Sequence, residues 1–258
     1  MTAAETAASV AASSVSELCW VDDTGRPQVR GVVALLREDR PALAFTYADE
    51  QLARDVAAAP EVRLVLSEPR STGGGFHPLV ATGRPRLVED PRGDVYLTEL
   101  VVQELRRYPP SRLYADSPLL MREHWWFLPR LVVEIEVAAV EPIGPRTGER
   151  DHLLVVADDR RPVVHVAGIV EQAGDVVTLD IPGPTLPEGQ AVLFGQDASF
   201  PDLEQWSQWH YRGWWDPPTL TVEDAPARTG LGRPSGLLQR WRRQRALERA
   251  CTEAIPRT

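Results

Sequence analysis

The order of elements between residues 22 and 66 constrains the fold of this chain more than any other feature. Val- and Leu-rich segments at 27–36 and 42–47 predict two strands. A short amphipathic helix follows at 50–59 and ends at a proline, and alternation then predicts a third strand at 61–67. Strands this short, with one helix placed between them, are typical of a small β-barrel.

The next hundred residues continue the same pattern. A strand is predicted at 79–89, and an apolar stripe at helical spacing predicts a helix at 94–107 that ends before two prolines. A long strand is predicted at 131–140, where Val133 and Ile135 alternate with glutamates, so one face is buried and the other wet. These elements indicate a mainly β chain built on an antiparallel barrel.

The second half of the chain is also rich in β signals. We expect a split antiparallel β-barrel followed by a C-terminal β-rich extension and a terminal basic amphipathic helix. The predicted segments are a flexible tail at 1–15, the barrel at 16–145, the extension at 150–225, and a linker with the helix at 226–258. Further strands are predicted at 153–156, 163–170, 176–181 and 191–194.

A weak internal echo links the two halves. Asp22-Asp23, followed by Arg-Pro and a Gly-Val-Val strand, resembles Asp158-Asp159, followed by Arg-Pro and a Gly-Ile-Val strand. A duplicated half-barrel explains this echo, and so does the chance recurrence of turn-strand units, so both readings stay open.

Charge excludes some classes of partner. The net charge is -9 and the pI is about 5.1, whereas nucleic acid and anionic membranes both require a basic face. We find no apolar run near the roughly 18 to 20 residues of a membrane span, and the first 16 residues lack the pattern of a secretory signal. We therefore expect a cytoplasmic protein that binds neither nucleic acid nor membrane, with a terminal basic helix docked on its own barrel or on a partner subunit.

Two absences narrow the chemistry. The sequence contains no lysine, so all 28 basic residues are arginines and Schiff-base chemistry through a lysine amine is excluded. Cys19 and Cys251 lie far apart and form no metal-ligand or redox spacing.

The first half of the chain resembles the flavin-binding split barrels of the pyridoxamine 5′-phosphate oxidase-like superfamily. The resemblance rests on a strand carrying Arg30, a strand ending in Thr46-Tyr47, a helix carrying Arg54, and Pro60 before the next strand. It implies FMN, or in some branches a deazaflavin or haem, bound between the subunits of a homodimer. Arg30 and Arg54 would then clamp the cofactor phosphate, because guanidinium groups match phosphate oxygens in pairs. Thr46 would donate a hydroxyl, and Tyr47 would line the ring or ribityl edge.

Aromatic and histidine residues add further candidates. Trp125-Trp126 and the tryptophans between 206 and 215 could stack on a planar ring, or could pack in the core or at an interface. Arg212 could meet a carboxylate of a cofactor or substrate. His124 and His210 stand beside tryptophans and are candidates for an axial haem ligand or a proton donor, although a buried hydrogen-bonded histidine is the commoner case. No zinc-ligand spacing occurs among the five histidines.

The sequence therefore favours an FMN-binding oxidoreductase acting on a small molecule. Two alternatives remain open at this point: a haem-binding split barrel that stores or degrades haem, and a non-catalytic binding or assembly module whose cofactor groove is filled by the aromatic-rich C-terminal part. The residues name no catalytic acid, base or nucleophile.

Overall fold

The computed structural model describes residues 3–71, 77–112, 124–148, 150–183, 186–232 and 236–256. Seven of the described strands form one antiparallel sheet in the order β2-β1-β5-β6-β7-β4-β3. Their bounds are β1 Ser16–Val21, β2 Pro27–Val32, β3 Leu35–Arg37, β4 Arg40–Thr46, β5 Val62–Leu66, β6 Leu79–Asp90 and β7 Arg130–Pro142.

This sheet is a split barrel, which we call the first barrel. Its two edge strands, β2 and β3, follow one another directly in the chain, so the sheet curls back on itself. The interior holds a continuous apolar core that includes Leu18, Leu64 and Ile135. The predicted fold class, mainly β with a split barrel, is confirmed.

The described residues form four α-helices beside the strands: α1 Ala3–Ala12, α2 Glu50–Ala58, α3 Val101–Arg107 and α4 Leu237–Ala254. The prediction of a flexible tail at 1–15 was wrong for its described residues, because α1 buries Val10 in the core of the first barrel. The run of Ala, Ser and Thr hid this helix, since it offers few large apolar residues. The Gly73-Gly74-Gly75 run, whose composition predicts a flexible hairpin tip, lies outside the described residues.

Of the two docking surfaces predicted for α4, its own barrel and a partner subunit, the structure shows the helix on its own barrel. The helix packs against the Tyr47–Asp49 and Trp125–Phe127 turns. Cys251, near its C-terminus, is fully buried, whereas Trp241 nearer its start is exposed. The C-terminal half of α4 is therefore the half that covers the first barrel.

The extension folds into a complete barrel of its own, which we call the second barrel. Its described strands close in the order β10-β13-β12-β11-β8-β9, so the possible second half-barrel is a closed barrel. Two strands at its C-terminal end were not predicted, since their tryptophans and polar residues obscure the alternation. The bounds are β8 Asp151–Asp158, β9 Arg161–Ala173, β10 Val176–Asp180, β11 Gly189–Ala198, β12 Trp206–Asp216 and β13 Thr219–Asp224.

The two barrels share one topology. When β8 is matched to β1, β9 to β2 with β3, β10 to β4, β11 to β5, β12 to β6 and β13 to β7, every strand pairing of one barrel occurs in the other. All of these pairings are antiparallel. The weak sequence echo therefore accompanies a structural repeat of a whole barrel.

A β-bulge at a glycine marks the same place in both barrels. The register between β6 and β7 shifts at Gly83, and the register between β12 and β13 shifts at Gly213. A Cβ atom at Gly83 would overlap the carbonyl of Glu136, and one at Gly213 would overlap the carbonyl of Thr221. Each bulge needs glycine because a neighbouring backbone approaches too closely for a side chain.

The barrels pack together through their outer faces. Strand β2 contacts β8 and β11, and in the matching arrangement β9 contacts β1 and β5. This reciprocity is the pattern of a two-fold symmetric interface, here made within one chain. The apolar core of the interface contains Cys19, Val29, Val65, Val80, Leu153, Val155, Val164, Val192 and Phe194.

Candidate functional site

Thr46 and Tyr47 end β4 and begin the turn that leads into α2. The Thr46 hydroxyl donates to the Asp49 carboxylate at 3.1 Å. The Tyr47 side chain is buried in the core of the first barrel, where burial and the carboxylate of Glu89 raise its pKa to about 12. Neither group is presented to a cavity described below.

Arg54 lies on the exposed face of α2 and is held by acidic neighbours. Its guanidinium is 2.8 Å from the Glu50 carboxylate and 2.9 Å from the Glu89 carboxylate. The hydrogen bond to Glu50, followed by that to Glu89, raises the pKa of Arg54. The charge that would neutralise a phosphate is therefore already compensated.

Arg30 and Arg212 lie at a different place, beside the second barrel. Arg30 is exposed on β2, and its charge acts on His210 of β12. His210 donates from Nε2 to the Val29 carbonyl at 2.9 Å, and Arg212 donates to the Pro27 carbonyl at 3.4 Å. The phosphate clamp therefore stays a prediction: Arg30 is exposed on β2, and Arg54 is bound to carboxylates on α2.

The two histidines that are candidate haem ligands both make contacts within the protein. His210 is largely buried, which lowers its pKa, and its Nε2 is committed to a backbone carbonyl. His124 begins the Trp125–Phe127 turn and contacts the Trp126 ring edge-on, with the ring centroids 6.0 Å apart. The tryptophans divide between roles: Trp126, Trp209 and Trp215 are buried, whereas Trp125 and Trp214 are exposed.

We use the name rim for residues 46–54, which join β4 to the exposed face of α2. Cys251 of α4 reaches this segment, where its thiol interacts with Thr46 and with the backbone of Ala48. Burial raises the pKa of that thiol. The rim is therefore partly covered by the terminal helix and is lined by Asp49, Glu50 and Glu89. A phosphate dianion would meet these carboxylates beside one compensated arginine, so the rim does not fit a phosphate-bearing cofactor.

A larger opening lies where the two barrels meet, and we call it the junction cleft. Its volume is about 660 Å³, which is within the usual range of small-molecule pockets. Trp209 and Tyr211, both largely buried, line the cleft on the side of the second barrel, and we call them the aromatic wall. The lining also includes charged groups from both barrels and from the segment that links them: Glu68, Arg70, Arg146, Arg150, Asp151, Glu171 and Asp197.

Most of these charges have partners. Arg70 bridges the barrels, since its guanidinium is 2.9 Å from the Glu68 carboxylate and 3.1 Å from that of Asp197. Asp151 accepts from the backbone amides of Thr147 at 2.9 Å and Gly148 at 2.8 Å. Within the described residues, the exposed Arg150 guanidinium has no ion pair, so it can meet an anionic group in the cleft.

His152 stands behind the aromatic wall and is fixed in one tautomer. Its Nδ1 donates to the Arg150 carbonyl at 2.9 Å, and its Nε2 accepts from the Trp209 indole at 3.1 Å. Burial lowers its pKa. This neutral imidazole orients the Trp209 ring and is a positioning residue.

A buried ion pair forms the floor between the barrels. The Glu17 carboxylate, which is inaccessible to solvent, pairs with Arg146, and it also accepts from the Gln196 amide and, at 3.4 Å, from Ser67. Burial raises the pKa of Glu17 to about 7, although Arg146 acts in the opposite direction. This cluster ties β1, β5, β11 and the inter-barrel segment to one another.

Sequence reasoning missed Glu17, Arg146 and His152. The buried strand SELCWV carries its one carboxylate at Glu17, and that exception to an apolar strand was an available signal. No signal could have placed Arg146 or His152 in a cleft, since their neighbours come from distant strands.

Two kinds of feature, a membrane-spanning helix and a metal-ligand cluster, are absent from the described residues. None of their helices is both long and apolar enough to cross a membrane. No group of three or more His, Cys, Asp or Glu side chains among them is arranged to hold a metal ion.

No protein-family model matches the sequence, and no curated protein matches it. A solved structure of a conserved hypothetical protein from Mycobacterium tuberculosis is 19% identical and covers 58% of this chain and 94% of its own, with a TM-score of 0.40. An F420 reductase is 21% identical, with coverages of 49% and 88% and a TM-score of 0.35. A heme binding protein from Mycobacterium smegmatis is 16% identical, with coverages of 67% and 91% and a TM-score of 0.37. These values describe a partial likeness in fold, so the ligand chemistry has to come from the residues of this chain.

Proposed function

We propose that this chain is a split-barrel protein that binds a small planar molecule with an anionic group in the junction cleft. The observation that carries the proposal is the composition of the cleft, with an aromatic wall of Trp209 and Tyr211 and an arginine, Arg150, that has no ion pair among the described residues. An aromatic ring stacks favourably against such a wall, and a guanidinium binds carboxylate or phosphate oxygens in pairs.

FMN, a deazaflavin and haem are the ring molecules that we propose to test. Each combines a planar ring system with a phosphate or carboxylate group. When bound, such a group would supply redox chemistry, and an oxidoreductase acting on a small molecule is the enzyme class that follows. The residues of this chain would stack the ring on Trp209, hold the anionic group at Arg150, and exclude water from the closed side of the cleft.

The test uses titration of the purified protein with FMN and with hemin, each followed by absorbance and by quenching of tryptophan fluorescence. We expect Arg150→Gln and Tyr211→Leu each to weaken binding by about tenfold, as the loss of one charge-assisted contact or one stacking partner requires. Arg54→Gln on the rim is the matched control, and it should leave the affinity unchanged. The proposal is refuted if Arg54→Gln weakens binding while the two cleft variants do not.

A second candidate function has its own support. The helix α4 lies on the rim, which is where the resemblance implies a cofactor groove, and this matches a non-catalytic binding or assembly module. A colourless protein that takes up neither FMN, hemin nor a deazaflavin would favour this candidate over the first.

The homodimer implied by the resemblance stays a prediction. The reciprocal faces of the two barrels already cover one another, so a second copy would have to use a different surface. Light scattering of the purified chain, compared with the 28.6 kDa of one copy, tests this prediction. A cytoplasmic location likewise stays a prediction.

A further inference from the structure

The two bulge glycines allow the barrels to be matched residue by residue. With Gly83 matched to Gly213, the pairing of β5 with β6 and of β11 with β12 matches Val80 to His210. The same register matches Arg63 to Val192. Each position at the interface between the barrels therefore has a counterpart on the opposite side.

The match extends to the strands that form the other wall of the interface. Through the pairing of β1 with β5 and of β8 with β11, Cys19 matches Val155. Cys19 pairs with Val29 and Val155 pairs with Val164, so the residues that follow, Arg30 and His165, are also equivalent. The two sides of the interface thus have the same architecture and different side chains.

On the side of Arg30 the space is filled. His210 donates to the Val29 carbonyl at 2.9 Å, and the Gln208 amide exchanges two hydrogen bonds with the Gly31 backbone, at 3.0 and 3.2 Å. A Cβ atom at Gly31 would overlap the side chains of Gln196 and Gln208. Long polar side chains therefore close this side against the backbone of β2.

On the side of His165 the counterpart of His210 is the smaller Val80, and a cavity of about 570 Å³ remains. We call it the Arg63–His165 cavity. Its apolar lining includes Val80, Ile143, Val164 and Val166. It is separated from the junction cleft by the segment that links the barrels, whose residues 143–145 line this cavity and whose residues 146–148 line the cleft.

Two basic residues, Arg63 and His165, line the cavity. The Nε of Arg63 is buried and makes no hydrogen bond within the described residues, and its ion pair with the Glu61 carboxylate is long, at 3.9 Å. His165 is half-buried, and burial followed by the charge of Arg63 lowers its pKa. Leaving a buried donor unpaired costs free energy, so both groups would gain from an anion placed between them.

The carboxylates near this cavity do not already serve that purpose. Asp151 accepts from the amides of Thr147 and Gly148, as described above. Glu141 and Asp180 are exposed at the edge of the cavity, where water screens them.

We propose that the Arg63–His165 cavity binds a small anion through a carboxylate or phosphate group, and that it is the open member of a pair of equivalent sites whose other member is closed by His210 and Gln208. This site is separate from the junction cleft, so it goes beyond the function proposed above. The anion accepts from the Arg63 guanidinium and from the imidazole of His165, with Val80 and Val164 excluding water on the inner side.

Histidine proton resonances test this proposal. The resonance of His165 is identified as the one missing from the His165→Gln spectrum, and inorganic phosphate and acetate are then added in the millimolar range. We expect one or both anions to shift this resonance and to raise the pKa of His165. Glu141, Asp151, Asp180 and Arg63 face the same imidazole, and their charges are unchanged by the addition. Which of the two anions binds more tightly identifies the phosphate or the carboxylate as the preferred group.

Paired variants locate the effect. Arg63→Gln should weaken the binding of that anion by about tenfold or more, because it removes the charged donor. Arg30→Gln, at the position equivalent to His165 on the closed side, is the matched control and should leave binding unchanged. An unshifted His165 resonance with both anions overturns the proposal, and so does equal weakening by the two variants. Neither outcome bears on flavin or hemin binding in the junction cleft, which is measured by tryptophan quenching.

Discussion

The two barrels have the same strand order but differ in the segments that connect their strands. The first barrel carries α2 between β4 and β5, together with a long insertion between β6 and β7 that contains α3. In the second barrel, eight residues, 181–188, separate the strands equivalent to β4 and β5, and a turn at Pro217-Pro218 connects the strands equivalent to β6 and β7. The six shared strand pairings are therefore sufficient for a barrel, and the helices of the first barrel are additions to it.

This difference explains where open space is left. Part of the outer face of the first barrel is covered by α3, α4 and the Trp125–Phe127 turn. These elements form a separate apolar cluster with β4 and β7. The second barrel has no such cover among the described residues at the junction cleft, so its aromatic wall meets the groups of the inter-barrel segment. Ligand chemistry is thus expected on the second barrel, whereas the resemblance pointed to the first.

The largest expected effect concerns the ion pair that joins the barrels. Arg146→Met leaves the Glu17 carboxylate buried without its counter-charge, which should destabilise the protein by about 3 to 5 kcal/mol at about pH 8. Glu17 has its pKa raised to about 7 in the folded state, so its contribution to stability is complete below its unfolded pKa and is lost as pH rises through about 7. The variant should therefore lose less at about pH 5, where Glu17 is protonated.

Chemical denaturation at the two pH values measures this effect. Arg150→Met, on the exposed side of the same segment, is the control and should change the free energy of unfolding by no more than about 0.5 kcal/mol. An equal loss at both pH values for Arg146→Met would show that the charge of Glu17 is not what the arginine compensates.

A smaller effect tests the equivalence of the barrels. Gly83→Ala and Gly213→Ala each force a Cβ atom into a neighbouring carbonyl, and each should cost about 2 to 3 kcal/mol in the free energy of unfolding. Gly236→Ala is the control, since a Cβ atom there meets nothing within 4 Å. A large cost at one bulge and none at the other would mean that the shared register does not reflect a shared structural need.

Much of the fold can be predicted from local sequence signals, whereas the candidate site cannot. Alternation in 131–140 and the proline after α2 predicted β7 and the helix boundary, because both signals act within a few residues. The closure of the second barrel depends on β12, where Trp209, Tyr211 and Trp215 pack in the apolar cluster of that barrel and His210, Arg212, Gly213 and Trp214 interrupt a simple alternation. The tryptophans of that strand predict an aromatic wall, but its pairing with β11 and β13, which closes the barrel, depends on residues that are distant in the sequence.

The charges of the rim show the same limit. A basic residue on a short helix suits a phosphate, which is why the sequence predicts a phosphate-binding role for Arg54. Its ion pair with Glu50 is also predictable, because the two residues are four apart on one helix. Its contact with Glu89 could not, since β6 reaches α2 only through the folded barrel. The sequence therefore predicts that Arg54 lies on the short helix, but it does not predict all of the charges around it.

The smallest expected effect separates the rim from the junction cleft. The Tyr47 hydroxyl is buried and has no hydrogen-bond partner among the described residues, so Tyr47→Phe removes an unsatisfied polar group. The free energy of unfolding should rise by up to about 1 kcal/mol, because a buried donor without a partner is unfavourable. Ligand affinity should stay the same, since Tyr47 lines neither the junction cleft nor the Arg63–His165 cavity. Thermal unfolding together with FMN and hemin titration measures both quantities, and a variant that folds normally but loses ligand would return the binding site to the rim of the first barrel.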